Sequence, residues 1–231
     1  MPSNALDKGM KRVHEPEILD LPGVPVDLVD RAYMDVARIH RWLRDTDFVV
    51  RAIRGDALPV RRIMDVGCAA GSVLADVQHR LNVAAVGVDL FPQRSVCPAI
   101  RIVQADAVRD PLPFADVAFC MHVGHHLPEA DVAELIRNVG RSCRRFILMD
   151  LVRHPLPLAL FAVFVAPLVS RIAAVDGRRS IRRAYTPEEF RRIAHVALRG
   201  SRATVRHTVS PLFARQVIDV SWPATRAGRS Y

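Results

Sequence analysis

The chain has 231 residues, half of them hydrophobic, with 33 basic and 24 acidic side chains and a net charge of +9. That length suits one α/β domain with a small extension, and no repeat or low-complexity tract interrupts it. The four cysteines, Cys68, Cys97, Cys120 and Cys143, form no CxxC pair, which excludes a disulfide scaffold and suits reduced thiols in a cytoplasmic protein. The nine histidines lack zinc-finger spacing, so no metal site is expected. The basic excess is almost all arginine spread along the chain, with Lys8 and Lys11 the only lysines. It reads as a solvated surface rather than a nucleic-acid footprint.

Residues 1–17 are polar and lack the apolar stretch of a signal peptide. Val29, Ala32, Val36, Ile39 and Leu43 recur at three- and four-residue spacing, which predicts an amphipathic helix over 26–43. A second helix is expected over 47–54. Gly55 and Pro59 then mark a boundary between an N-terminal helical cap, 1–55, and a main domain, 56–231. From there strands and helices alternate: strands at 62–66, 84–88, 100–104, 117–121 and 146–149, helices at 72–81 and 129–139. Continuous apolar strands in β-α-β order predict an α/β fold with a doubly wound, mainly parallel sheet. Residues 152–183 break the rhythm with an apolar stretch and then a basic piece. The stretch from Leu156 to Val169 is too short to span a bilayer but leaves room for a peripheral membrane contact. The next helix starts with Thr186 as N-cap, Pro187 at the first position, Glu189 completing a capping box, and Tyr185 with Phe190 as a hydrophobic staple. Two strands around 203–209 and 213–220, separated by Pro211, predict a closing antiparallel hairpin.

Three strand ends carry chemistry. Asp65-Val-Gly-Cys-Ala-Ala-Gly71 is a strand, a turn of small residues and a helix start, where an open α/β sheet binds ligands and backbone can approach them closely. It holds Gly67 and Gly71, with Cys68 between them, but Ala69 replaces a third glycine, so the spacing is not that of a dinucleotide site. Asp89, beside Leu90, closes the second strand and can accept from ribose hydroxyls. Asp106, beside Ala107, closes the third and can accept from an adenine amino group.

These segments resemble class I S-adenosylmethionine (SAM) dependent methyltransferases over roughly residues 62–151. Asp65 to Gly71 is similar to their motif I, Val86-Gly-Val-Asp89 to their ribose motif, and Gln104-Ala-Asp106-Ala107 to their adenine motif. His122-Val-Gly-His125-His126-Leu127 is similar to the segment after the fourth strand in small-molecule members such as quinone-, phenol- and polyketide-modifying enzymes. The resemblance implies SAM as cofactor and a Rossmann-like seven-stranded sheet with an N-terminal cap and a lid over 152–183. It also implies Asp65, Gly67, Cys68 and Gly71 at the methionine end, Asp89 and Leu90 at the ribose, Asp106 and Ala107 at the adenine, and His122 near the cofactor. No Asn-Pro-Pro-Tyr type motif follows the fourth strand, which argues against methylation of a nucleic-acid base.

A hydroxyl acceptor must lose a proton as the methyl arrives, and imidazole suits that work. His125 and His126 follow the fourth strand and Asp150 follows the fifth, so neighbouring strand ends would bring an imidazole to an orienting carboxylate. His154 is an alternative base. Tyr33, His154 and Tyr185 are expected at the acceptor, with the apolar stretch after strand five favouring a lipophilic aromatic molecule methylated on oxygen or carbon. An RNA methyltransferase and a non-catalytic SAM-binding module stay open as alternatives.

Overall fold

The computed structural model describes residues 10–92, 97, 98 and 100–223. Residues 1–9 of the expected cap therefore lie outside the described residues.

Two helices open the chain, α1 (Val26–Leu43) and α2 (Asp45–Arg54). Arg44 between them adopts a left-handed conformation, φ 56°, so the chain breaks for one residue and restarts at once. This is why α2 begins at Asp45, earlier than the spacing predicts. The central unit then runs β1 (Arg62–Val66), α3 (Ser72–Leu81), β2 (Ala84–Asp89), β3 (Arg101–Gln104), β4 (Ala115–Met121), α4 (Glu129–Ser142) and β5 (Cys143–Asp150). After it come α5 (Pro155–Leu160), a π-turn at Phe161–Val165, a 3-10 turn at Ala166–Leu168, α6 (Arg171–Arg183), α7 (Pro187–Ala197), β6 (Thr204–Val209) and β7 (Gln216–Ser221).

The strands form one seven-stranded sheet in the order β3-β2-β1-β4-β5-β7-β6. β1 to β5 pair in parallel, while β7 pairs antiparallel with both β5 and β6. The sheet is thus mixed, and the expected parallel character is confined to its first five strands. Pairing period sorts the core: Phe146 and Leu148 face one hydrophobic cluster, Ile147 and Met149 the other. The first cluster is covered by α4 and α7, the second by α2 and α3. The capping box at Thr186 and Glu189 forms as expected, and the Tyr185 and Phe190 rings stack 6.0 Å apart across it.

The basic piece of residues 176–183, part of the stretch that breaks the strand–helix rhythm of the sequence, lies within α6. Ser170 caps that helix by accepting from the Ala173 N–H, and Gly177 in its middle is where the Phe161 ring rests, since a Cβ there would collide with that ring. Glycine masks the helical pattern in the sequence but is what lets the π-turn pack on α6. The N-terminal segment before α1 is tied to the same helix. Val13 donates to the Arg182 carbonyl, Arg12 to the carbonyls of Arg183 and Leu127, and the Ile18 and Leu19 N–H groups to the Asp176 carboxylate. Among the described residues, no helix is long and apolar enough to cross a membrane.

Candidate active site

The chain leaves β1 for β2 on one side of the sheet and later crosses to β4 on the other. That reversal opens a crevice at the carboxyl ends of β1 and β4. The turn after β1 uses left-handed backbone at Gly67 (φ 77°), Ala69 (φ 49°) and Gly71 (φ 77°). A Cβ at Gly67 would collide with Val123, so the turns after β1 and β4 press together only because that residue is glycine. Asp89 fastens the turn from the side: its Oδ2 accepts from the Ala69 N–H at 2.7 Å and its Oδ1 from the Phe91 N–H at 2.8 Å. Ala69 therefore fills the left-handed position under restraint from a carboxylate. Asp65 is buried, and burial together with the nearby Asp89 charge pushes its carboxyl up to about 8. Asp106 accepts from the Val108 N–H at 2.9 Å and from Arg109 at 2.9 Å.

A cavity of about 1120 Å³ opens from this crevice. Gly67, Asp89, Leu90, Asp106, Ala107 and His122 line one part of it. Tyr33 and Ile39 of α1, with Leu160, Phe161, Phe164 and Val165 of the segment after β5, line another. Asp65, Cys68 and Gly71 lie outside the lining and shape the turn from behind.

The strand ends bring His125 and Asp150 together as expected. His125 Nδ1 lies 2.7 Å from Asp150 Oδ1, and the His125 N–H donates to Asp150 Oδ2 at 2.6 Å. Gly124 makes room for that carboxylate, since a Cβ there would stand 2.7 Å from Asp150 Oδ2. Glu17, which stands in no motif, places its Oε1 3.4 Å from His125 Nε2. Burial opposes a charge on His125, but Asp150 and Glu17 outweigh it and push its pKa up to about 9. At neutral pH the ring is an imidazolium with both nitrogens engaged. The free base expected at His125 is instead a proton held between two carboxylates. His126 tilts against it, its ring centroid 4.2 Å away, and faces Asp20 at 3.4 Å.

A second group was not read from the sequence. His122 Nε2 lies 3.2 Å from Asp45 Oδ2, and His40 Nδ1 lies 2.9 Å from the same oxygen. The two rings stack with centroids 4.5 Å apart. Arg215 holds the other Asp45 oxygen. Burial opposes ionisation of Asp45, but hydrogen bonds from His122 and His40 hold its carboxyl well below the usual range. His40 sits beside the apolar face of α1, one residue after Ile39, and that adjacency was its only sequence signal. Asp45 had none.

Residues 64–145 match the model of a family described as a methyltransferase domain. That stretch of the chain is thus a methyltransferase domain. Its fold is similar to the plantazolicin methyltransferase BpumL in complex with SAH, with a TM-score of 0.69 and 12% identity over 89% of this chain and 93% of that one. It is similar also to human N-acetylserotonin methyltransferase in complex with SAM, at a TM-score of 0.59 and 17% identity over 90% and 63%. Small RNA methyltransferase HEN1 gives 0.60 and 16% identity over 80% and 25%. At these identities the likeness shows a shared fold. No curated protein sequence matches the chain.

The crevice fits SAM as cofactor. The turn at Gly67 presents backbone without side chains, and the Asp89 and Asp106 carboxylates reach the cavity wall as acceptors for hydroxyl and amino groups. Two residues expected at the acceptor stand elsewhere. Tyr185 is buried, its hydroxyl donating to the Leu127 carbonyl at 2.6 Å and its ring under the Arg12 guanidinium. His154 caps α5, accepting from the Leu156 N–H, and stacks on Phe213 at 4.1 Å. The Tyr185 hydroxyl and His154 Nδ1 are committed to the scaffold, and neither residue lines the cavity. Tyr33 does line it.

Proposed function

We propose that this methyltransferase transfers a methyl group to a hydroxyl of a small lipophilic aromatic acceptor. The observation that carries the reading is the single cavity of about 1120 Å³ in which the Gly67–Asp89–Asp106 crevice meets an apolar wall. Its volume exceeds what one drug-sized ligand needs, which leaves room for cofactor and acceptor together. When bound, SAM supplies an electrophilic methyl group on a cationic sulfur. Asp89 would accept from the ribose hydroxyls, Leu90 would pack beside it, and Asp106 with Ala107 would meet the adenine. Gly67 would face the methionine end, with Asp65, Cys68 and Gly71 holding the turn in shape.

Leu160, Phe161, Phe164 and Val165 serve as a lid from residues 152–183, and α1 with α2 as a cap from residues 1–55, both closing over the main domain, 56–231. Such walls exclude water and orient an apolar ring, and positioning of this kind lowers the barrier to methyl transfer. Two fold relatives support the same reading, an N-acetylserotonin methyltransferase and a plantazolicin methyltransferase in complex with a monoazolic desmethylPZN analog. Many of the arginines are spent on the protein's own carboxylates, among them Arg109, Arg144, Arg145, Arg153 and Arg192, which weakens the case for an RNA acceptor despite the fold likeness to HEN1.

The test is methyl transfer from labelled SAM to a panel of phenols, hydroquinones and polyketide-type phenolics, with total RNA alongside. Label in one or more phenolic products supports the reading. Label in RNA and in none of the panel overturns it.

A further inference from the structure

We propose that His122 is the catalytic base of this methyltransferase, taking the acceptor's hydroxyl proton at Nδ1 while Asp45 orients the ring. The inference rests on the reading of the acceptor as a hydroxyl compound.

Three observations converge on His122. Its backbone stands in the left-handed region at φ 57°. For a residue with a Cβ such a conformation costs about 1–3 kcal/mol and persists only where the surroundings impose it. The surroundings here are the His122 N–H donating to the Met149 carbonyl and Val123 packed on Gly67. The residue so held lines the cavity.

The ring itself is polarised. Asp45 is fully buried and ionised, with Arg215 on its other oxygen, so it accepts and cannot donate. The hydrogen bond at 3.2 Å therefore requires the proton of neutral His122 to sit on Nε2. That leaves the lone pair on Nδ1. A carboxylate behind one nitrogen and an unpartnered second nitrogen is the arrangement of a general base.

His122 Nδ1 is also buried without a hydrogen-bond partner among the described residues. A buried polar atom left without a hydrogen bond is unfavourable, because its lost hydration is not replaced. Such a deficit at a cavity wall is relieved when a ligand brings the missing donor, and an acceptor O–H is that donor. His125 offers no such atom, since Asp150 and Glu17 face its two nitrogens.

In the reaction the acceptor oxygen forms the new C–O bond to the methyl carbon as the C–S bond breaks and its electron pair stays on sulfur. The O–H proton passes to His122 Nδ1, giving an imidazolium paired with Asp45. Release of that proton to water restores the neutral ring. The charged and titratable groups around it are Asp45, Arg215 and His40, with Asp150 and His125 further along the β5 side. Burial, followed by repulsion from His122, lowers the pKa of His40, so its ring stays neutral and does not repel the imidazolium as it forms.

The experiment uses the whole chain labelled with ¹⁵N in its histidines, saturated with S-adenosylhomocysteine, at alkaline pH. Two-bond proton–nitrogen spectra assign the tautomer of His122, identified by the signals lost in His122→Gln. The expected result is a protonated Nε2 and a bare Nδ1, with the preference lost in Asp45→Asn. A proton on Nδ1 overturns the proposal whatever the acceptor. In the second arm, labelled methyl transfer to the phenol panel should fall about 100-fold or more in His122→Gln with S-adenosylhomocysteine affinity within about twofold of wild type. Added imidazole should restore part of the rate, and the acidic limb of the rate–pH profile should vanish. A His122→Gln enzyme of near wild-type rate overturns the proposal. A wild type silent on the whole panel counts against the acceptor reading, and the tautomer spectrum then decides His122 alone.

Discussion

Replacing His125 with glutamine should change how stability depends on pH, and the structure sets both the window and the sign. The His125 ring is 3% exposed, with Asp150 and Glu17 at its two nitrogens. Its pKa rises from 6.5 to about 9 on folding. The folded state thus holds a proton that the unfolded chain releases near 6.5. The stabilisation is complete below that value and is lost as the pH rises through about 9. The interval corresponds to roughly 3 kcal/mol, undiminished by solvent screening because the group is buried. That is a large share of a domain's net stability of about 5–15 kcal/mol. Asp65, pushed up to about 8, adds a loss of the same sign between 3.8 and about 8, so the wild-type curve alone is ambiguous. The difference between wild type and His125→Gln removes that background. Urea unfolding followed by circular dichroism at a series of pH values should show the two proteins converging by about 3 kcal/mol across the window. A constant separation would refute the reasoning, because it would mean that no proton is trapped between the carboxylates. Glu17→Gln should move the same window to lower pH by removing one of the two partners.

Asp89→Ala should weaken SAM binding about ten- to a hundredfold, measured by calorimetry, since the ribose would lose a charged acceptor worth about 1.5–3 kcal/mol; unchanged affinity in a folded variant would remove Asp89 from the cofactor site. Gly67→Ala should destabilise the protein by about 1–3 kcal/mol in urea unfolding, because the left-handed φ of 77° is unfavourable for alanine and its methyl would meet Val123. Thr186→Ala should cost about 1 kcal/mol in the same assay by opening the capping box of α7. RNA should bind weakly and lose affinity steeply with added salt in a fluorescence-polarisation titration, through counterion release; tight, sequence-selective binding at physiological salt would point to an RNA acceptor.

Much of the fold was legible because its signals are local. Apolar runs placed β1, β2, β4 and β5, and the edges moved by only a few residues. The α7 start was readable to the residue, since Thr186, Pro187 and Glu189 act within one turn. The hairpin of β6 and β7 followed from a proline between two short apolar segments. What failed was α6, where Gly177 and a run of arginines erase the apolar stripe. There the helix is stabilised by Phe161 seated on the glycine and by the N-terminal segment hydrogen-bonded to Asp176, Arg182 and Arg183. Those contacts join residues far apart in sequence, so no local window carries them.

The same division explains the site. The cofactor crevice is built from the turn after β1 and from Asp89 and Asp106, each at the end of its own strand, so its residues were named in order from the sequence. The proton-handling groups are assembled across the chain instead. Asp45 reaches His122 over 77 positions, and Glu17 reaches Ser180 over 163. Neither carboxylate stands in a motif, because what fixes each is burial against a distant partner. The adjacent pair His125 and His126 drew the eye in the sequence, yet adjacency does not decide which imidazole keeps a lone pair. The count of neighbouring carboxylates does. Two of them trap a proton on His125, whereas one behind Nε2 leaves Nδ1 of His122 without a partner among the described residues. A catalytic histidine in a crevice of this kind is therefore recognised by what its second nitrogen lacks, and that property emerges only once α2, β4 and the N-terminal segment are packed together.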